Sequence, residues 1–284
     1  MAIKYLDAKR LRVLFSNGGK WVIKHEELLN ELNVYPVPDG DTGSNMAMTL
    51  NSMITDIEGK TNEKTSMKDF IETVEEAVLM GARGNSGTIL SQVITGFLKG
   101  IGEKTKLLST DVAQALSSAK ETAYNAVSEP VEGTMLTVIR RVSEKADECA
   151  SKMEDLVVFL KELMEAANKA VEETPELLPK LKEAGVVDAG GKGLFFLFEG
   201  LCILSGRGKC ERAWSFDGFG VVMRYHGICV FCKKYFPLHR FFDAYLLSCR
   251  CCQRPSYFYV SKDFDTSCFI FYRTKKRRYD VQNV

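Results

Sequence analysis

The feature that most restricts this chain is helical periodicity, carried almost without a break from the N-terminus to about residue 205. Apolar residues recur at three- and four-residue spacing, the pattern of a helix with one buried face. In 66–80, Phe70, Ile71, Val74, Ala77 and Val78 form such a stripe behind Ser66, with Asp69 as its capping partner. In 110–129, Val112, Ala115, Leu116, Ala119, Ala123 and Ala126 do the same behind the cap candidates Ser109, Thr110 and Asp111. Segments 3–17, 20–32, 44–57, 87–100, 133–150, 154–172, 176–184 and 190–204 read alike. Between them lie short connectors such as Asn17-Gly18-Gly19, Pro36-Val37-Pro38-Asp39-Gly40 and Gly81-Ala82-Arg83-Gly84. Period-two alternation is nearly absent, and neither G-x-x-x-x-G-K-[ST] nor G-x-G-x-x-G stands between a strand and a helix. A P-loop or Rossmann sheet is therefore without support, and the expected fold is an all-α bundle.

Residues 206–284 are of another kind. From residue 207 onward lie 18 of the 29 aromatic residues and seven of the nine cysteines. Formal charge divides at the same place, about −8 over residues 1–206 and about +9 over 207–284, although the whole chain sums to +1. No helical periodicity or capping is evident there. Two readings stay open for this irregular tail: translation out of frame, or a divergent or disordered extension. Cys229-x-x-Cys232 and Cys249-x-Cys251-Cys252, with His226 and His239, fit no familiar zinc spacing. The run Lys275-Lys276-Arg277-Arg278 reads as a solvated tail. No leader pattern opens the chain, and no apolar run approaches the roughly 18–20 residues of a membrane span. The expectation is a cytoplasmic protein with reduced thiols, no membrane span and no nucleic-acid partner.

Within the helical part, four Gly-containing clusters can carry chemistry. The first is Asn33-Val34-Tyr35-Pro36-Val37-Pro38-Asp39-Gly40-Asp41-Thr42-Gly43-Ser44-Asn45, with two carboxylates flanking a glycine just before a helix. Mg²⁺ takes one or two carboxylates together with waters and substrate phosphates. The free N–H groups of a helix start suit a phosphate. Taken alone, Pro-Asp-Gly-Asp reads first as an ordinary polar turn. An EF-hand does not, because Gly43 falls where an oxygen ligand is required. The other clusters are Gly81-Ala82-Arg83-Gly84-Asn85-Ser86-Gly87, Glu132-Gly133-Thr134-Met135 and Val186-Val187-Asp188-Ala189-Gly190-Gly191-Lys192-Gly193. Each is also a plausible helix connector. Converging at one end of a bundle, the four would cradle a nucleotide with helix N-termini in place of a P-loop.

In this order the four motifs resemble the kinase domain of bacterial fatty acid kinase A subunits, itself similar to the nucleotide-binding L subunit of dihydroxyacetone kinase. The resemblance covers about residues 1–205. It implies an antiparallel eight-helix barrel that binds ATP and two Mg²⁺ ions at one end. On matching positions, Asp39 and Asp41 would be the catalytic metal ligands, with Asn33 near the place of a third. Thr42, Gly43, Ser44, Asn45, Asn85, Ser86 and Gly87 would contact phosphates and ribose. Gly133, Thr134 and Met135 would line the base pocket, and Asp188, Ala189 and Gly190 would close it. The implied partner is an acyl-binding protein, and a homodimer is compatible with the pattern. After residue 205 the middle and C-terminal domains of the fatty-acid type are not recognised.

Phosphoryl transfer rests on positioning and charge neutralisation, so no side-chain nucleophile is needed. His25, in Lys24-His25-Glu26-Glu27, reads as an exposed helix histidine. Three functions compete: transfer to the carboxylate of a fatty acid held by a separate protein, glycerone-kinase-type transfer to a triose, and a nucleotide-binding remnant without turnover.

Overall fold

Helix starts in this chain are set by short polar side chains. Asp7 Oδ1 accepts from the Arg10 N–H at 2.9 Å, and Asp155 Oδ1 from the Val157 N–H at 3.0 Å. Ser66 Oγ accepts from the Asp69 N–H at 3.1 Å and donates to the Asp69 carboxylate at 2.8 Å, as its spacing predicts. In the computed structural model the helices are α1 (Ala8–Lys24), α2 (Glu26–Glu31), α3 (Thr42–Lys60), α4 (Met67–Gly81), α5 (Gly84–Ile101), α6 (Ser109–Asn125), α7 (Met135–Ala150), α8 (Leu156–Leu177), α9 (Pro179–Ala184) and α10 (Ala189–Ser205). Residues 3–205 are described, with side chains through 202, together with the backbone of three strands between 221 and 271.

Contacts separate two compact units, Met1–Arg207 and Gly208–Val284. In the first, eight helices of 15 to 22 residues form a closed ring. Helix α1 packs on α3, which meets α4 and α5; α5, α6, α7 and α8 follow in turn, and α10 packs on both α8 and α1. Two contacts fix the alternation of direction. The start of α1 pairs with the α5–α6 connector through Leu6 and Leu107, and the Leu156 N–H at the start of α8 bonds the Ile3 carbonyl at 2.9 Å. The starts of α3, α5, α7 and α10 therefore lie at the opposite end. The fold is the expected all-α barrel, filled by Leu11, Leu50, Phe70, Leu90, Val138, Phe159 and Phe196 among others.

Three expectations change on inspection. Asn17-Gly18-Gly19 is no connector, because α1 runs through it. A Cβ on Gly18 would stand 2.9 Å from Leu197 Cδ1, and one on Gly200 of α10 would stand 2.7 Å from the Gly18 Cα, so the two glycines allow the helices to cross closely. Helix α8 does not stop before Pro175. The Val171 carbonyl, which residue 175 would normally serve, accepts from Thr174 Oγ1 at 2.6 Å instead. Helix α6 is capped from Leu108, whose N–H donates to the Asp111 carboxylate at 2.8 Å.

In the second unit the described residues are strands β1 (Val221–Tyr225), β2 (Ile228–Cys232) and β3 (Cys268–Phe271), an antiparallel sheet in the order β1-β2-β3. Val221 pairs with Cys232, and Cys232 with Cys268. Regular pairing thus occurs in a region whose sequence reads as irregular. Cys249, Cys251, Cys252, His226, His239 and the basic run 275–278 lie outside the described residues.

Candidate functional site

The Pro-Asp-Gly-Asp turn is shaped by α2 rather than by itself. Gly40 adopts a φ of +67°, open to glycine at little cost. Asn33 is buried behind the turn, donating through Nδ2 to Asp39 at 2.5 Å and accepting from Thr42 Oγ1 at 2.9 Å. Asn30 Oδ1 accepts from the Ser44 N–H at 3.1 Å, and its Nδ2 donates to Ser44 Oγ at 3.0 Å. Ser44 Oγ in turn donates to Glu26 at 2.7 Å. Asp39 and Asp41 are both exposed, and among the described residues neither enters an ion pair. Of the first-turn donors, the Asn45 N–H bonds the Asp41 carbonyl, which leaves those of Thr42 and Gly43 open.

Helix α5 begins against this turn. A Cβ on Gly84 (φ +58°) would stand 2.2 Å from Asn45 Nδ2, so the two helix starts touch there. The Arg83 N–H donates to Thr49 Oγ1 at 3.3 Å and ties the connector to α3. Asn85 is exposed, Ser86 half-buried and Gly87 buried in the first turn of α5.

The other two clusters meet each other. Asp188 is buried, and its carboxylate accepts from the Gly191 N–H at 2.6 Å and from the Met135 N–H, joining the starts of α10 and α7. Burial pushes its carboxyl up to about 6, against the lowering effect of those two bonds. A Cβ on Gly190 would lie 3.1 Å from Met135 Cε. Thr134 caps α7 by accepting from the Leu136 N–H at 3.3 Å. Gly133 takes a φ of +85° beside Leu178. Its neighbour Glu132 accepts from Tyr124, Thr137 and Arg140, and these partners outweigh partial burial to keep its carboxyl below the usual range. The two pairs are linked where α10 passes Met46, whose Cε would lie 2.5 Å from a Cβ on Gly193, and where Lys180 Nζ donates to the Pro36 carbonyl at 3.1 Å.

All four clusters thus gather at one end of the barrel. A surface depression lined by Lys99, Lys104, Gln114 and Ser118 lies at the other end, where α5 finishes, and holds no motif residue. Among the described residues no three His, Cys, Asp or Glu side chains cluster, so any cation here has two carboxylates and must complete its shell from elsewhere. Sequence reasoning missed Glu26 and Asn30. Their signal is the four-residue spacing of Glu26 and Asn30, which puts both on one face of α2. His25 is also not the exposed residue expected. Its ring stacks on Phe196 at 4.1 Å, Nδ1 lies 2.8 Å from the Trp21 carbonyl, and burial pulls its pKa below 6.5.

Such a ring, with four helix starts presented at one end, belongs to a helical class of domain quite apart from the sheet-based nucleotide folds. The chain belongs to the DAK2 domain family, whose pattern matches residues 36–203. Curated relatives include uncharacterized proteins of Staphylococcus aureus strains USA300 and N315, each 41% identical over 198 residues, or 70% of this chain. The match spans 36% of those relatives' length. Among solved structures, the dihydroxyacetone kinase of C. freundii in complex with AMP-PNP and Mg²⁺ superposes with a TM-score of 0.51 at 18% identity, covering 68% of this chain and 33% of that one. Its native form gives 0.52, also at 18% identity, over 68% and 34%. The likeness to these structures is one of fold. No helix among the described residues is long and apolar enough to cross a membrane.

Proposed function

We propose that residues 1–205 form an ATP- and Mg²⁺-dependent phosphotransferase domain whose acceptor is the carboxylate of a fatty acid carried by a separate binding protein. One observation carries the reading: four helix starts converge beside two exposed carboxylates that have no cationic partner among the described residues. The dihydroxyacetone kinase structure that holds AMP-PNP and Mg²⁺ supports the same ligand class. Asp39 and Asp41 would hold the metal, two ions by the family resemblance, while Asn33 keeps Asp39 in place. Bound there, Mg²⁺ would neutralise charge on the transferring phosphoryl group. The free N–H groups of Thr42, Gly43, Asn85 and Ser86 point the positive ends of α3 and α5 at the phosphates, with Ser44, Asn45 and Gly87 shaping the turns. Gly133, Thr134 and Met135, with Asp188, Ala189 and Gly190, build the apolar half suited to a base.

In the reaction an acceptor carboxylate oxygen attacks the γ-phosphorus, the bond to the bridging oxygen breaks, and ADP leaves. The fatty-acid acceptor rests on the form of the Pro-Val-Pro-Asp-Gly-Asp-Thr-Gly motif. The test incubates the full chain with ATP, Mg²⁺ and either a fatty acid on an acyl-binding protein or dihydroxyacetone, trapping acyl phosphate with hydroxylamine. Hydroxamate from the first acceptor alone is expected. Phosphorylated triose would favour the glycerone-kinase reading. Magnesium-dependent nucleotide binding without either product would favour a binding domain without turnover.

A further inference from the structure

Asp41 occupies the N-cap position of α3, where an aspartate ordinarily folds back to accept the N–H two or three residues on. Here its side chain makes no cap hydrogen bond among the described residues. The N–H it would take belongs to Ser44, the third residue of α3, and that group donates instead to Asn30 Oδ1 at 3.1 Å. The Ser44 hydroxyl is held from both sides, by Asn30 Nδ2 at 3.0 Å and Glu26 Oε1 at 2.7 Å. The backbone of α2 lies so close that a Cβ on Gly43 would stand 2.1 Å from the Glu26 carbonyl oxygen. Helix α3 is therefore capped from outside, by a neighbouring helix.

We propose that Asn30 and Glu26 are positioning residues which take over the capping of α3 and so keep the Asp41 carboxylate turned out toward a divalent cation. The proposal rests on the nucleotide and metal reading above. Without the Asn30 amide, the Ser44 N–H lacks its acceptor. Asp41, now at φ −114° and ψ −3°, replaces it on turning to the extended backbone of a capping residue, and a carboxylate folded into a cap competes with metal binding. The lost affinity should match one cap hydrogen bond, a factor of about five to ten. Neither Asn30 nor Glu26 touches nucleotide in this scheme. The effect should appear only in the metal-dependent part of binding.

The experiment titrates AMP-PNP into the full chain by calorimetry, with Mg²⁺ and with EDTA, for the parent, Asn30→Ala, Asp41→Ala and the double variant. Asn30→Ala should lower the magnesium-dependent gain about five- to tenfold and leave metal-free affinity within about twofold. The double variant should be no weaker than Asp41→Ala alone, because the two act through one carboxylate. Glu26→Ala, which leaves the Ser44 N–H bond in place, should cost about two- to threefold and carries the test if Asn30→Ala loses helical circular dichroism. Equal losses with and without metal, or losses that multiply in the double variant, overturn the proposal while the nucleotide reading stands. A folded parent with no magnesium-dependent gain sinks both.

Discussion

The paired starts of α3 and α5 differ from those of α7 and α10 in what happens to their carboxylates and their free N–H groups. On the α3–α5 side, Asp39 and Asp41 are exposed, and the Thr42 and Gly43 N–H groups are open. The Ser44 N–H is capped there by Asn30 of α2, and the Thr42 hydroxyl is held by Asn33 just beyond that helix. On the α7–α10 side the carboxylate of Asp188 is buried, and it takes up the Met135 and Gly191 N–H groups to join two helices. The same helix-end electrostatics are thus left available in one half and satisfied internally in the other. Polarity of a motif alone does not separate the two halves; exposure of the carboxylate and the lack of a cationic partner among the described residues do.

The largest expected effect breaks or sustains that contrast directly. Asp39→Ala and Asp41→Ala should each weaken magnesium-dependent nucleotide binding about 100-fold or more, since a divalent ion would lose one of only two carboxylates. Both side chains are exposed, so helical circular dichroism should stay at the parent level. Parent-like affinity in both variants would mean that this half is an ordinary turn.

Asp188 should respond in stability before it responds in binding. Its folded-state carboxyl lies at about 6, above the ordinary 3.8, because burial penalises the charged form. Between those values the folded state holds a proton that the unfolded state has released. Stability therefore falls as pH rises from about 4 to about 6 and levels off above that. Asp188→Asn cannot ionise, so the difference in thermal midpoint between parent and variant should change across this window and be flat from pH 7 to 8. A difference independent of pH would show that Asp188 is not held in a penalised, buried state.

Much of this was legible in the sequence, for identifiable reasons. Helix capping is local, so Ser66 with Asp69 announced the start of α4. Motif glycines also gave away the four helix starts. Features that depended on distant partners were hidden. Gly18 and Gly19 look like a break until Leu197 and Gly200 of α10 are placed against α1. Pro175 looks like a stop until Thr174 is seen to satisfy the Val171 carbonyl. His25 looks exposed until Phe196, far along the chain, stacks on it. Within the site, Asp39 and Asp41 were visible as a motif. The roles of Asn30 and Glu26 were not, because a capping residue is normally sought at the helix start itself.

The smallest expected effect concerns the seam between the two halves. Lys180, on α9, reaches the Pro36 carbonyl at 3.1 Å and lies over the Tyr35 ring at 5.8 Å, joining the α7–α10 side to the loop that precedes Asp39. The contact is exposed, so water replaces its hydrogen bond readily and its cation–π attraction is weak. Asn30 of α2 and Asn33 just past its end fix the turn independently. Lys180→Ala should therefore shift the thermal midpoint by less than about 2 °C. Magnesium-dependent affinity for AMP-PNP should change by no more than about threefold, as expected for an exposed contact. Were affinity to fall more than tenfold with the midpoint unchanged, the two halves would be coupled through this lysine. The division between an open half and a self-satisfied half would then need redrawing, with the 34–38 loop held from α9 as well as from α2.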